Sequence, residues 1–124
     1  MLDAFDQMLK PLTREQNDKL RKIDQKMDES LRIFEETYQE IGQARCILLR
    51  AEFYFENLAS GNHKKKFNEL LQDLKYCQEV FEGQQNLSHQ VQSLIYLAII
   101  YHDNKDYQCA KDSIQIAIEL SKEI

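Results

Sequence analysis

The chain of 124 residues contains 43% hydrophobic and 30% charged residues, and its formal net charge is −5. This length suits one domain, and the hydrophobic content is too high for a disordered chain. The acidic balance argues against nucleic acid or an anionic membrane as a partner, because both attract a basic surface. Only three glycines and one proline are present, so tight turns are few and the composition favours an all-α protein.

The cysteines also bear on the class of protein. The chain has an odd number of cysteines, namely Cys46, Cys77 and Cys109. Each occupies an apolar or small-residue position of a helical pattern. This placement predicts buried side chains rather than disulfides or metal ligands. No apolar run resembles a signal peptide or reaches the roughly 18 to 20 residues of a membrane span. We therefore expect an intracellular, cytoplasmic protein, whether complete or a piece of a longer chain.

The first 43 residues predict a short helix followed by a long amphipathic one. Residues 2–9 place their apolar side chains on one side of a short helix that Pro11 stops. Thr13 and Gln16 then form a capping-box sequence, which predicts the start of the long helix. Gly42 either ends this helix or bends it. Its apolar residues form one narrow seam, suited to packing inside the molecule or against a partner helix: Leu20, Ile23, Met27, Leu31, Phe34, Tyr38 and Ile41.

Four further helices with short connections are predicted in the rest of the chain. The stretch 60–62 supplies a stop signal after the first of them, and either Asn86 or Ser88 can cap the third. No strand pattern is present, so the fold class is all-α with antiparallel helical hairpins. The predicted helices cover residues 44–58, 64–82 and 90–102, and the last runs from residue 105 or 106 to residue 123.

The last two helices resemble a tetratricopeptide repeat. The family's large apolar, leucine, small and tyrosine positions are filled by Leu94, Leu97, Ala98 and Tyr101, and its second-helix positions by Tyr107, Ala110, Ile114 and Ala117. The alanines let two helix axes approach closely. Lys105 and Lys122 depart from the turn glycine and the closing proline that are common in the family.

A weaker copy of the same pattern lies upstream. Ile47, Ala51 and Tyr54 match the first helix of a repeat, and Phe67, Leu70, Leu74 and Cys77 keep the spacing of the second. Arg50 and Leu70 depart from the usual leucine and alanine. The resemblance implies two hairpins, residues 44–83 and 91–124, in a right-handed superhelix. Together with residues 1–43 they would form one compact domain.

Nothing in the sequence points to catalysis. The three histidines are dispersed, no cysteine pair has the spacing of metal ligands, and no phosphate-binding or nucleophile motif is present. His102-Asp103 at a helix end is the most suggestive pair, but such a pair is common in loops. We therefore expect neither an enzyme nor a cofactor nor a small-molecule substrate.

The tetratricopeptide resemblance implies a groove lined by the first helix of each hairpin, which binds a peptide or a helix. Its mixed lining favours an apolar or amphipathic helical segment as the ligand. Alternatively, the long helix of this chain covers the groove, or copies of the chain associate. A scaffold or adaptor is the leading function, and a peptide-sensing regulator of the Gram-positive bacterial type is the other. The implied groove residues are Arg45, Leu48, Glu52, Phe55, Gln92, Ile95, Ile99 and His102.

Overall fold

The computed structural model describes residues 12–58 and 63–124. The predicted all-α class is confirmed, because these residues form helices and no strand. The predicted short helix at 2–9 and the stop signal at 60–62 lie outside the described residues. No described helix is both long enough and apolar enough to cross a membrane. The helices are α1 (Arg14–Glu36), α2 (Glu40–Asn57), α3 (Lys64–Gly83), α4 (Leu87–Asp103) and α5 (Tyr107–Ser121).

Helix α1 begins at the predicted capping box. The backbone N–H of Gln16 donates to Thr13 Oγ1 at 3.1 Å, and the backbone N–H of Thr13 donates to Gln16 Oε1 at 2.8 Å. The two bonds satisfy N–H groups that a helix start otherwise leaves without partners. The predicted start of the long helix is therefore confirmed.

The predicted end of the long helix is wrong, because α1 stops at Glu36 and α2 begins at Glu40 rather than at residue 44. Tyr38 lies in the turn with φ 56° and is 91% exposed, so it does not belong to the seam of α1. Ile41 lies in α2. Gly42 is also inside α2, where an added Cβ would lie 2.6 Å from the Phe34 ring. The glycine lets that ring of α1 pack directly on α2.

One type of turn joins α1 to α2, α3 to α4, and α4 to α5. In each turn a residue other than glycine has positive φ, namely Tyr38, Gln85 or Lys105. The next residue is the N-cap of the following helix, and its N–H donates back to a carbonyl in the last turn of the preceding helix. These bonds are Gln39 N to Phe34 O at 2.8 Å, Asn86 N to Phe81 O at 2.9 Å, and Asp106 N to Tyr101 O at 2.9 Å.

The side-chain caps refine two predicted helix starts. Asn86, rather than Ser88, caps α4 by accepting from the His89 N–H at 3.3 Å, so α4 begins before residue 90. Asp106 caps α5 in the same way by accepting from the Cys109 N–H at 3.3 Å. Asn and Asp suit this position because their short side chains reach the first-turn amides.

Each helix packs mainly against its neighbour in the sequence. The most deeply buried side chains come from α2, α3 and α4, and Leu74 and Cys77 of α3 have no exposed surface. Helices α2 and α4 also touch, because the rings of Phe55 and Tyr96 stack with centroids 4.7 Å apart. The core is therefore centred on α3, with α1 and α5 on its outer sides.

Six of the eight residues predicted to pack the last two helices are buried or half-buried, and two are exposed. Tyr107 is 58% exposed and Ile114 is 39% exposed. Their counterparts in α3, Phe67 and Leu74, are buried in a helix that packs against both α2 and α4, whereas α5 packs mainly against α4 alone. The prediction of buried cysteines is confirmed for Cys46 and Cys77 but is wrong for half-buried Cys109. The other six packing residues are Leu94, Leu97, Ala98, Tyr101, Ala110 and Ala117.

Candidate functional site

Four of the predicted groove residues lie together between α2 and α4. Arg45, Leu48 and Glu52 project from one side and Gln92 from the other, around a depression of about 370 Å³. Leu48 is buried and forms the floor, while the three polar residues form the rim. Arg45 and Glu52 are about two helical turns apart, so both charges lie on one face of α2. The surface is thus apolar at its base and carries charges of both signs.

Two further residues of this depression were missed by sequence reasoning. Leu49 of α2 is 59% exposed beside it, and His89 of α4 completes the rim. The His89 ring stacks on Phe81 with centroids 4.9 Å apart, and its Nδ1 lies 2.9 Å from Asn86 Oδ1. Leu49 is an apolar residue outside the repeat pattern of α2, and this departure could have indicated an exposed position beside the depression.

The other predicted groove residues are not part of this depression. Ile95 and Ile99 are 41% and 38% exposed further along α4, so α1 does not cover them as one alternative had it. The Phe55 ring stacks on the Tyr96 ring and makes a tilted contact with the Phe67 ring, with centroids 4.9 Å apart. His102 faces α5, where its ring meets Tyr107 edge to face at 5.3 Å.

The seam of α1 packs against α2, away from the depression. Leu20 is buried, and four further seam residues are half-buried. The interpretation of the seam as packing within the molecule therefore applies to α1 as far as Phe34. The half-buried residues are Ile23, Met27, Leu31 and Phe34.

A charged cluster, which we call the Asp24 cluster, fastens α1 to α2 and α3. Its members are Asp24, Asp28, Arg50, Tyr54 and Lys66. The Asp24 carboxylate accepts hydrogen bonds from the Tyr54 hydroxyl and, at 3.2 Å, from Lys66 Nζ. Arg50 Nη2 donates to the Asp24 carbonyl at 3.1 Å and to Asp28 Oδ1 at 2.5 Å. Sequence reasoning noted Arg50 as a departure from the repeat pattern but not its partners.

Two members of the Asp24 cluster, Arg50 and Tyr54, have a pKa that the cluster raises. Burial lowers the pKa of Arg50, but the hydrogen bond and charge of Asp28 outweigh it and raise the pKa above its ordinary value. Burial and the bond to Asp24 raise the pKa of Tyr54 well above its ordinary value. Nearby, burial raises the pKa of Asp73, against the opposing charge of Arg50. The opposite charges of the cluster thus pair across the contact between helices, although Arg50 Nε is buried without a hydrogen-bond partner among the described residues.

A second open surface is the α5 groove, which lies between α4 and α5. It encloses about 1000 Å³. Ala98 and Ala110 form a floor of small buried residues, and Lys111, Glu119 and Lys122 bring charges to its sides. It is the more apolar of the two surfaces, because large exposed side chains line it: Ile99, Tyr107, Ile114 and Ile118.

Among residues 12–58 and 63–124, no group of three histidine, cysteine or acidic side chains is placed to hold a metal ion. A scan of the chain against protein-family models, and searches of curated proteins and of solved structures, found no significant match. The resemblance to tetratricopeptide repeats therefore rests on the residues of this chain alone.

Proposed function

We propose that the protein is a non-enzymatic interaction module, a scaffold or adaptor inside the cell, that binds an amphipathic helix of a partner protein between α2 and α4. The observation that carries the proposal is the depression that joins Arg45, Leu48 and Glu52 of α2 to Gln92 of α4. Residues distant in the sequence meet there beside the exposed Leu49, and the exposed Ile95 lies about one helical turn beyond Gln92 on α4. Exposed apolar residues rimmed by polar ones are typical of protein-binding surfaces.

The tetratricopeptide resemblance supports this placement. In that reading α2–α3 and α4–α5 are successive antiparallel hairpins of a right-handed superhelix, and α2 and α4 line its inner face. The repeated turn after α1, α3 and α4 agrees with such a series, since each turn leads into the next helix in the same manner. Helix α1 would then take the place of the second helix of a preceding hairpin.

The composition of the depression indicates the chemistry of the ligand. Leu49 offers exposed apolar surface beside the buried floor of Leu48, while Arg45 and Glu52 offer one charge of each sign on the same face of α2. A helix with an apolar stripe and flanking charges matches this pattern through helix-in-groove binding. A free carboxylate would need a cluster of basic groups, and Arg45 is the basic residue of this rim.

The test is a double variant, Leu49→Ser with Ile95→Ser. Both side chains are exposed, so the fold should keep its stability within about 1 kcal/mol. Ile99 is left unchanged because it also lines the α5 groove. Proteins captured from a lysate by the wild type should be lost by the double variant. A synthetic helix from each lost protein should then bind the wild type and not the double variant.

Ile33→Ser on α1 is the matched control, because Ile33 is 54% exposed and lies outside the depression. The control should retain every protein that the wild type captures. If the double variant captures the same proteins as the wild type, the face of α2 and α4 is not the binding surface and the proposal is wrong.

A further inference from the structure

The α5 groove carries an inference beyond the binding of a partner on α2 and α4. We propose that this groove is the interface of a homodimer, in which α5 of a second copy lies antiparallel to α5 across a two-fold axis. The depression between α2 and α4 stays open in such a dimer, because Arg45, Leu48 and Glu52 lie outside the groove.

The first argument is that α5 carries large side chains at positions that are buried in α3 but exposed in α5. Phe67 and Leu74 of α3 are 2% and 0% exposed, in a helix that packs against both α2 and α4. Tyr107 and Ile114, at the corresponding positions of α5, are 58% and 39% exposed. The side chains are large in both helices, but α3 packs against α2 and α4, whereas α5 packs mainly against α4 alone. A patch of this kind on a soluble protein is typical of an interface.

The second argument is the shape of the groove. Its floor contains Ala98 and Ala110, which are 4% and 8% exposed. Small residues at a contact allow two helix axes to approach closely, as ridges of one helix enter grooves of the other. Ile99 on one wall and Ile118 on the other supply apolar contacts for the incoming helix.

The third argument is charge, and it selects a second copy of this chain as the occupant. Lys111 and Glu119 both line the groove and are about two turns, roughly 12 Å, apart along α5. A two-fold axis at Gln115, midway between them, brings each Lys111 level with Glu119 of the second copy. Two opposite-charge pairs form at once.

The same axis also places the remaining groove residues suitably. Ile118 falls within about one helical turn of Ile114 of the second copy, so the apolar side chains interdigitate. The two Gln115 amides meet on the axis, where each can donate to the other. The sequence of α5 is therefore complementary to itself in the antiparallel direction.

The test begins with the mass in solution, measured by sedimentation velocity from about 1 μM to about 100 μM, a range that covers weak specific dimers. We expect the wild type to reach twice the chain mass of 14.8 kDa. Ile118→Ser should raise the dimer dissociation constant at least about tenfold, because it removes a large contact from the interface. Circular dichroism should show an unchanged fold, since Ile118 is 52% exposed in the single chain. Ile116→Ser is the matched control on the same helix, 44% exposed and outside the groove, and should dimerise as the wild type does.

Charge reversal then tests the two-fold arrangement. Lys111→Glu and Glu119→Lys should each weaken the dimer by about tenfold, because each variant sets like charges against each other in two places. The double variant should regain the wild-type dissociation constant within about threefold. A double variant as weak as the single ones would contradict the two-fold pairing.

Two results would overturn the homodimer altogether. One is a wild type that remains a monomer at about 100 μM, and the other is a dimer that Ile118→Ser leaves intact. A monomer that captures a different protein, and loses it in Ile118→Ser, would assign the groove to that protein instead of a second copy.

Discussion

The Tyr54 hydroxyl on α2 donates a hydrogen bond to the carboxylate of Asp24 on α1. The other oxygen of that carboxylate accepts from Lys66 Nζ on α3 at 3.2 Å. One acidic side chain thus joins three helices at a position where it is only 20% exposed. Since a buried carboxylate is costly without its partners, these bonds make Asp24 a structural residue of the domain.

Replacing Asp24 with Asn should lower the free energy of unfolding by about 1 to 3 kcal/mol, because the charged partners Arg50 and Lys66 lose their shared anion. Urea unfolding at neutral pH measures the change. Asp18→Asn on the same helix is the control, because the Asp18 pair with Arg21 is largely exposed and should contribute less than about 0.5 kcal/mol. Equal losses in both variants would mean that the Asp24 cluster does not secure α1.

The Cys77 thiol predicts a loss of stability at high pH. Burial raises the pKa of this thiol from 9.0 to about 12. The unfolded chain therefore releases the thiol proton first, and the contribution of Cys77 is complete below about pH 9 and declines as the pH rises towards 12. Between about pH 8 and pH 10.5 the wild type should lose on the order of 1 to 2 kcal/mol more than Cys77→Ala.

Urea unfolding of both proteins at the two pH values measures this difference. Tyr54 remains in both proteins, and its raised pKa acts in the same direction, so the comparison isolates the thiol. Parallel losses in the wild type and in Cys77→Ala would show that the thiol does not resist ionisation in the folded chain.

The three turn residues with positive φ predict stabilising substitutions. Lys105 has φ 63°, a left-handed conformation that strains any side chain with a Cβ but not glycine. Lys105→Gly should therefore raise the free energy of unfolding by about 0.5 to 1 kcal/mol. Asn104→Gly, one residue earlier at φ −85°, should give no gain. Thermal unfolding of the two variants distinguishes them, and a gain in neither would argue against the left-handed turn.

The small residues between helices predict a penalty for overpacking. Ala51 of α2 is 0% exposed, so Ala51→Leu should cost about 1 to 3 kcal/mol. Gln72→Leu on the exposed side of α3 should be nearly neutral, because leucine and glutamine have similar helix propensities. Unfolding midpoints in urea compare the two. A neutral Ala51→Leu would contradict the close helix packing described for α2.

The predicted helices followed from local patterns, and the errors arose where no local pattern exists. Thr13 and Gln16 identified the start of α1 because a capping box is a contiguous sequence signal. The end of α1 was misplaced because its turn uses Tyr38 in a conformation that usually requires glycine. The sequence pattern does not indicate a turn that lacks glycine and interrupts an otherwise continuous series of helical positions.

The candidate site was predicted only in part, because contacts between helices also lack a local sequence pattern. The tetratricopeptide resemblance placed Arg45, Leu48, Glu52 and Gln92 on one face, and these four residues line one depression. It could not show that the Phe55 ring stacks on Tyr96, or that His102 turns towards α5. Those contacts depend on how two helices are rotated against each other, which the pattern of one helix does not specify.

The packing of each helix mainly on its neighbour in the sequence has a consequence for how the chain reaches its folded state. Contacts between residues that are close in sequence require little loop closure, so such a topology folds fast, in microseconds to milliseconds. The bond of Lys66 to Asp24 spans 42 positions and must wait until α1, α2 and α3 are assembled. Helix–turn–helix units can therefore form early and separately, while the charged cluster closes late.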